Sequence, residues 1–575
     1  MSMLAKLNKI TSWQAAIIIA IMGFSVFFVG LTNPFIGDDL TQIVSNPVVH
    51  SISNISRFFE GGTFYNGQGF GPQLYGAYFR PLMTTTYSLL YSLFGPRPLY
   101  FHLFQLLLYI GSAIILYLFF RYSFKPVLAL TLSIIFLVHP LNSQVAFAIP
   151  AMQDALFFFF GILALYLLLR LKSIKSLILV SICLLISLLS KETGVLFIAI
   201  CLIYLFLFEY RKRLYAFIGI VALPIALWLT LKIHAIGLLG ANPHNAPIDS
   251  LSLSSRLLTA PSIVLSCITK FIFPWKLASA YYWTNPTFSL RHVLIPLLID
   301  IAVLAIFVYF AFIIYRQDAK KTQFYTYIFF FGWLSLGMLT TLQIIPLDMT
   351  TCDSWFYFPM AGLLGMLGII LTNYKHHFRA RWLILLAITW IVILSVTTIF
   401  RGFEWRSVIS LAENNIAVSE SDDYVAYDNT AINYYNQKDY THAEIYAKKS
   451  IAIFPDSNSY YTLGHIYEML GDYPDAVKAY TAGLKFNSSI QVQLYDRLGA
   501  LTVVNGSNAT NKQLLVGALN KLPGDANLWF YLAILEYHQD NISNAQYEIR
   551  QAYLYEPSDS TISKYYYKIM HGLPI

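Results

Sequence analysis

From Trp13 to Phe400 apolar runs of roughly 15 to 23 residues follow one another, separated by short basic clusters, and this rhythm limits the chain more than any other feature. A spanning helix needs about 20 apolar residues, because the hydrocarbon core is about 30 Å thick and a helix rises about 1.5 Å per residue. Runs at about 13–31, 100–120, 126–139, 152–169, 176–190, 194–208, 214–233, 293–315, 325–343, 357–372 and 382–400 read as spans, about eleven in all. Only 12% of the residues are charged, against about 25% in soluble domains. The expected fold class is all-α, with a polytopic membrane helical domain over 1–406. After Arg401 the texture changes, and 407–575 is polar, rich in tyrosine and extramembrane in character.

The formal charge of +8 does not point to nucleic acid, because the basic residues sit between spans, where they orient helices during insertion. No nucleic-acid partner is expected. Lys6 and Lys9 precede the first run and no small-residue cleavage site follows it, which predicts an uncleaved first span. With those lysines cytoplasmic, the clusters Arg121/Lys125, Arg170/Lys172/Lys175, Arg211/Lys212/Arg213, Arg316/Lys320/Lys321 and Lys375/Arg379/Arg381 all fall cytoplasmic. Counting the apolar segments 81–95 or 256–275 as spans would invert later clusters, so both are predicted to lie along the outer interface. The loop 32–99, the loop around His139, the loops 234–292 and 344–356 and the C-terminal domain then share the extracytoplasmic side. The four cysteines have no CxxC spacing, which supports neither a zinc site nor a disulfide framework.

In the C-terminal part, "KDYTHAEIYAKKSIAIFPDS" (438–457) and "GDYPDAVKAYTAGLKFNSS" (471–489) align at a spacing of 33 residues. Tyr427/Ala431/Tyr434 and Tyr460/Gly464/Tyr467 keep the same interval, and Asn527–Pro557 adds a further copy. Small residues recur where two helices must approach and aromatics where they interlock; a period near 34 is the tetratricopeptide signature. From Ala476 to Ala545 is 69 residues, room for one degenerate copy, so four repeats are expected to form an α-solenoid. Such arrays offer a concave surface for a peptide or protein.

Charged groups at the edge of a membrane are costly and mark sites. Asp38 and Asp39 follow the first span side by side. Either carboxylate suits a general base, and the competing reading makes them the cap and first-turn acid of a helix starting at Leu40. Arg80 precedes Pro81 at a helix start, where a guanidinium can hold a phosphate or snorkel to the interface. His139 ends one span and Asp154 opens the next. Lys191 and Glu192 lie between two short spans, where they pair with each other or leave Lys191 to a phosphate. Asp348 and Asp353 fall on the same side. No phosphate-binding glycine loop and no H-E-x-x-H occurs, so a cytosolic nucleotide is not the expected substrate.

Taken in order, the acidic pair, the "RPL" helix, the "His-Pro…Asp" loop, the "KE" pair, "D…YFP", "RGFEWR" and the repeats resemble the transmembrane and tetratricopeptide-repeat O-mannosyltransferases and their bacterial relatives, within the GT-C glycosyltransferase class. The resemblance covers nearly the whole chain. His102, His139, Pro140, Asp154, Asp353, Tyr357 and Pro359 match the family pattern. Gln105 stands where asparagine is usual, Tyr109 for a histidine, Gln144 for a glutamate, Met152 for an arginine and Ser354 for an arginine. The resemblance implies a polyprenyl-phosphate-linked sugar donor drawn from the membrane lipid, and a protein or peptide acceptor at the repeats. It further implies Asp38 or Asp39 as catalytic base and Arg80 and Lys191 on the leaving phosphate, with His102, His139, Asp154, Glu192 and Asp353 as further site candidates. No metal ligand is assigned, and a divalent cation is optional in the class. The competing expectation is a non-catalytic membrane scaffold that acts through its repeats.

Overall fold

The computed structural model describes residues 9–65, 78–237, 246–374, 380–419, 423–486, 490–504 and 509–575. Lys6, Lys375 and Arg379, three of the basic positions used above, lie outside them. The chain divides into two compact units, Met1–Ser419 and Glu420–Ile575. Among the described residues both are helical, apart from one isolated bridge that pairs Tyr281 with Thr351.

Local sequence accounts for the helix starts of the first unit. Thr11 and Gln14 open Ser12–Phe27 with a reciprocal box, each side chain accepting the other's backbone N–H at 3.2 and 3.0 Å. Pro81, Pro98 and Pro126 each sit at a helix start, where the missing N–H would have had no partner in any case.

Among the described residues eight helices are long and apolar enough to cross a membrane. Seven coincide with expected spans: Ser12–Thr32, Pro98–Phe120, Ile149–Arg170, Arg211–Ile236, Leu290–Gln317, Asp353–Asn373 and Trp382–Glu404. Pro126–Val138 continues into Pro140–Phe147 across a 54° bend, and Ser176–Ser190, Glu192–Phe208 and Thr322–Leu339 complete the expected set. Leu290–Gln317 is apolar over most of its surface, yet 6% of its most apolar stretch is buried, whereas Ile149–Arg170 buries 67%. A helix so apolar and unburied by protein faces lipid; this is an integral membrane protein.

The eighth helix of that class, Leu253–Ile272, overlaps the segment 256–275 expected at the interface. Arg256 near its start donates to the carbonyls of Gln343 and Ile344 at 2.9 and 3.2 Å. Near its other end Lys270 pairs with Asp353, and the Phe271 carbonyl meets His139. Its polar contacts thus reach segments that join the expected spans. Pro81–Phe94 does the same: Arg80 before it reaches Glu192, while Phe94 stacks on Tyr100 at the start of Pro98–Phe120.

Charge sorts by end. Arg213 donates to the Leu168 and Leu171 carbonyls and pairs with Glu209, which also holds Lys172, at one end. Asp154, Lys191, Glu192 and Asp353 gather at the other.

In the second unit, four helix pairs follow in register: Tyr424–Asn436 with Tyr440–Ile453, Ser457–Leu470 with Tyr473–Gly483, Gln491–Val504 with Ala509–Lys521, and Ala526–His538 with Ile542–Tyr555. A last helix, Ser560–Met570, covers the end. Asp423, Asp439, Asp456, Asp472, Asp525 and Asp559 each cap a helix start through the side chain. A Cβ on Gly464 would stand 2.3 Å from the Tyr480 ring, and one on Gly499 2.3 Å from Tyr531. The recurring small residues are therefore places where an aromatic ring lies against the backbone, which is the repeat signature realised. The third pair is the degenerate copy.

Candidate functional site

The acidic pair sits on a sharp turn after the first span. Gly37 takes φ +57°, a conformation costly for a side chain-bearing residue, and lets the chain fold back so that Leu40 N–H bonds to the Gly37 carbonyl at 3.1 Å. Asp39 is 2% exposed and its Oδ2 accepts the Ile36 N–H at 3.0 Å, while Oδ1 is buried with no hydrogen-bond partner among the described residues. A helical turn does start at Leu40, but the Asp39 carboxylate turns back to the preceding loop instead of capping it. Asp38 is exposed, although protein packs around its carboxyl. Burial raises the pKa of Asp38, and the Asp348 carboxylate adds to the rise; Asp39 is raised well above the usual range by burial.

Arg80 and the pair share one neighbour, Tyr87. Arg80 Nε donates to Glu192 Oε2 at 3.1 Å, and the Phe79 N–H occupies Glu192 Oε1 at 2.7 Å. The guanidinium stacks 3.9 Å from the centre of the Tyr78 ring, and Asp348 lies within electrostatic reach of the Tyr78 hydroxyl. Lys191 Nζ meets Asp154 Oδ1 at 2.6 Å, with both side chains nearly enclosed. Tyr87, whose hydroxyl donates to the Ile149 carbonyl at 2.9 Å, lies within electrostatic reach of Asp38, Asp39 and Arg80. Asp154 in turn acts on Arg80. Six of the nine sequence-derived candidates thus converge: Asp38, Asp39, Arg80, Asp154, Lys191 and Glu192.

Lys191 and Glu192 do not pair with each other. Lys191 is extended (φ −157°, ψ 140°), so successive side chains point apart, one to Asp154 and the other to Arg80. Gly194 closes this corner, since a Cβ there would stand 2.6 Å from the Ser187 carbonyl carbon.

Asp353 belongs to an adjoining cluster. Lys270 reaches it at 3.3 Å, the Tyr281 hydroxyl donates to it at 3.1 Å, and Arg401, itself paired with Glu404, lies 3.7 Å away. Gln144 Oε1 accepts the Ser354 N–H at 3.2 Å. Gln144, where the resembling family has glutamate, therefore meets the backbone of Ser354, where that family has arginine. His139 has both ring nitrogens committed, Nδ1 to the Leu141 N–H at 3.2 Å and Nε2 to the Phe271 carbonyl at 3.0 Å, which makes it a staple between elements. His102 is turned toward the Asn33 and Pro34 carbonyls, under the loop that carries the acidic pair. Among the described residues no three His, Cys, Asp or Glu side chains converge closely enough to hold a metal ion.

The chain is similar to a protein O-mannosyl-transferase. That relative, from Caenorhabditis elegans, is 22% identical over 419 residues, 69% of this chain and 56% of its own length. The chain therefore spans little more than half of the curated relative it matches. No family model matches. Among solved structures, YrrB, described as a TPR protein with an unusual peptide-binding site, aligns at 15% identity over 31% of this chain and 87% of its own, with TM-score 0.25. The APC/C hetero-tetramer Cut9–Hcn1 aligns at 12% identity over 85% of this chain and 90% of its own, with TM-score 0.24.

Tyr78, Tyr87, Lys270, Tyr281 and Arg401 escaped the sequence reading as site residues. Lys270 and Arg401 carried one signal, a cation at the end of an apolar helix, but that signal is shared with every interfacial anchor.

Proposed function

We propose that the chain is a glycosyltransferase that moves a sugar from a polyprenyl-phosphate-linked donor to a Ser or Thr hydroxyl of a protein acceptor. The positive-inside pattern supports an extracytoplasmic site, with the N-terminus cytoplasmic and the repeats on the side of the site. The observation that carries the reading is the grouping of Asp38, exposed and raised in pKa, with two cations, Arg80 and Lys191, through the shared neighbours Tyr87 and Asp154. Similarity to a protein O-mannosyl-transferase supports the same class.

Each part has a physical task. A carboxylate with a raised pKa is a stronger base toward an alcohol proton, and Asp38 is the one of the pair with a free approach. Asp39, tied to Ile36, holds the loop in place. The leaving phosphate needs positive charge rather than a proton, which Arg80 and Lys191 supply. A lipid carrier reaches this site by diffusing in the bilayer, where a soluble nucleotide sugar cannot.

The test is sugar transfer in membranes from a labelled polyprenyl-phosphate donor. Asp38→Asn is expected to lower transfer by about 10²–10⁴-fold with membrane insertion unchanged; transfer at the parental rate would refute the reading. Because the pKa of Asp38 is raised, the parental rate should fall on acidification at a pH above the ordinary carboxylate range, and that limb should vanish in Asp38→Asn.

The scaffold reading keeps one observation of its own. Both cations already hold a carboxylate, Glu192 or Asp154. A scaffold predicts no donor turnover under any condition, including in a chain truncated before the repeats.

A further inference from the structure

Over 420–575 the second unit carries 17 acidic and 11 basic residues, a charge of −6 within a chain whose total is +8. Six of those acids cap helix starts. Asp428 and Asp496 do not. They occupy the same turn of the first helix in the first and third pairs, 68 residues apart in sequence. Each faces the capping carboxylate of the next first helix, Asp456 or Asp525. One oxygen of each lacks a hydrogen-bond partner among the described residues, and Asp428 is 9% exposed. Buried carboxylates that meet carboxylates are stabilised by any cation brought between them.

Around them lies aromatic surface. The rings of Tyr461 and His465 are 4.4 Å apart, Tyr435 approaches His465 at 6.2 Å, and Tyr531 lies within electrostatic reach of Asp496. Arg497 Nε donates to Glu468 at 3.0 Å, so the cation in this row is already neutralised. Tyr435, Tyr461, His465, Glu468, Asp496, Arg497 and Tyr531 all belong to first helices. Contacts that pass from first helix to first helix mark the inner, concave side of a stacked array.

We propose that this concave face binds a cationic segment of the protein acceptor, with Lys or Arg side chains entering beside Asp428 and Asp496 and tyrosine rings flanking them. Tyrosine faces attract ammonium and guanidinium groups, and the crowded carboxylates beside them favour a nearby positive charge. The proposal rests on the reading of the chain as a protein glycosyltransferase and adds the chemistry of its acceptor.

The experiment uses full-length protein in detergent and two labelled Ser/Thr-containing peptides of equal length, one with Lys at alternate positions and one with Glu. The Lys peptide is expected to bind at least about tenfold more tightly, the range of one charge-assisted contact, with an advantage that shrinks in salt. Asp428→Asn with Asp496→Asn should remove that advantage. Asparagine keeps the shape of the neutral acid, so folding is retained, and Tyr461→Ala provides an independent loss of affinity. Equal binding of the two peptides, binding of neither, or unchanged affinity in the double variant overturns the proposal. Transfer to the same peptides separates the two readings. Lys-dependent binding without any sugar transfer supports the groove and refutes the enzyme; transfer that needs Asp38 yet ignores peptide charge does the reverse.

Discussion

Three enclosed carboxylates of the bundle and three of the solenoid are treated in opposite ways. In the bundle Asp154, Glu192 and Asp353 each have a cation at 2.6, 3.1 and 3.3 Å. In the solenoid Asp428, Asp496 and Glu548 each face another carboxylate, and burial with that neighbour lifts them to about 7, 7 and 8. The difference follows from surroundings. At a membrane end, with lipid on the outer faces, an unpaired charge has little water to turn to, so insertion demands local neutrality. A water-exposed array can keep a carboxyl protonated instead, at the cost of a raised pKa. Neutral pairs hold elements together; crowded acids wait for a proton or a cation.

The comparison predicts substitutions of opposite sign. In the bundle, Lys191→Met or Asp154→Asn alone strands a buried charge or a cation without its counter-ion, and each should cost about 3–5 kcal/mol. Thermal unfolding of the solubilised protein should show it, and the double variant should recover most of the loss while transfer stays low. Double-variant stability no better than the single ones would mean that the pair is not coupled.

In the solenoid the same kind of change should stabilise. Asp428→Asn removes a group whose folded pKa, about 7, lies above its unfolded value near 3.8. Its contribution to stability is therefore full below the unfolded value and lost as pH rises through about 7. The temperature at which protease first cuts within 423–575 should be higher at pH 5.5 than at pH 8.5, on the order of 5 °C. Asp428→Asn should flatten that dependence and raise the value at pH 8.5. A dependence of opposite slope would show that these acids are paired after all.

Much of the plan was legible before any coordinates. The spans could be read because membrane thickness acts on each run by itself, and the repeats because every copy must bury the same small and aromatic positions against its neighbour. Asp38, Asp39, Arg80, Asp154 and Lys191 stood out because charge beside apolar sequence is expensive. Pairing was not legible. Lys191 and Glu192 looked like partners because they are neighbours, yet an extended backbone sends them to residues 37 and 112 positions away. Tyr78 lies beside Arg80 in sequence, but its role depends on Asp348, which only folding brings within reach.

By itself, then, the sequence determined an all-helical membrane protein with a tetratricopeptide array after it, and it named most of the charges at one end of the bundle. These are properties that each segment expresses alone, through length, period and the cost of burying charge. Only the tertiary structure decided that Asp38 is open while Asp39 is locked to Ile36, that His139 is a staple, and that Lys270 and Arg401 surround Asp353. Those outcomes depend on contacts between segments far apart in the chain, where no local rule chooses the partner.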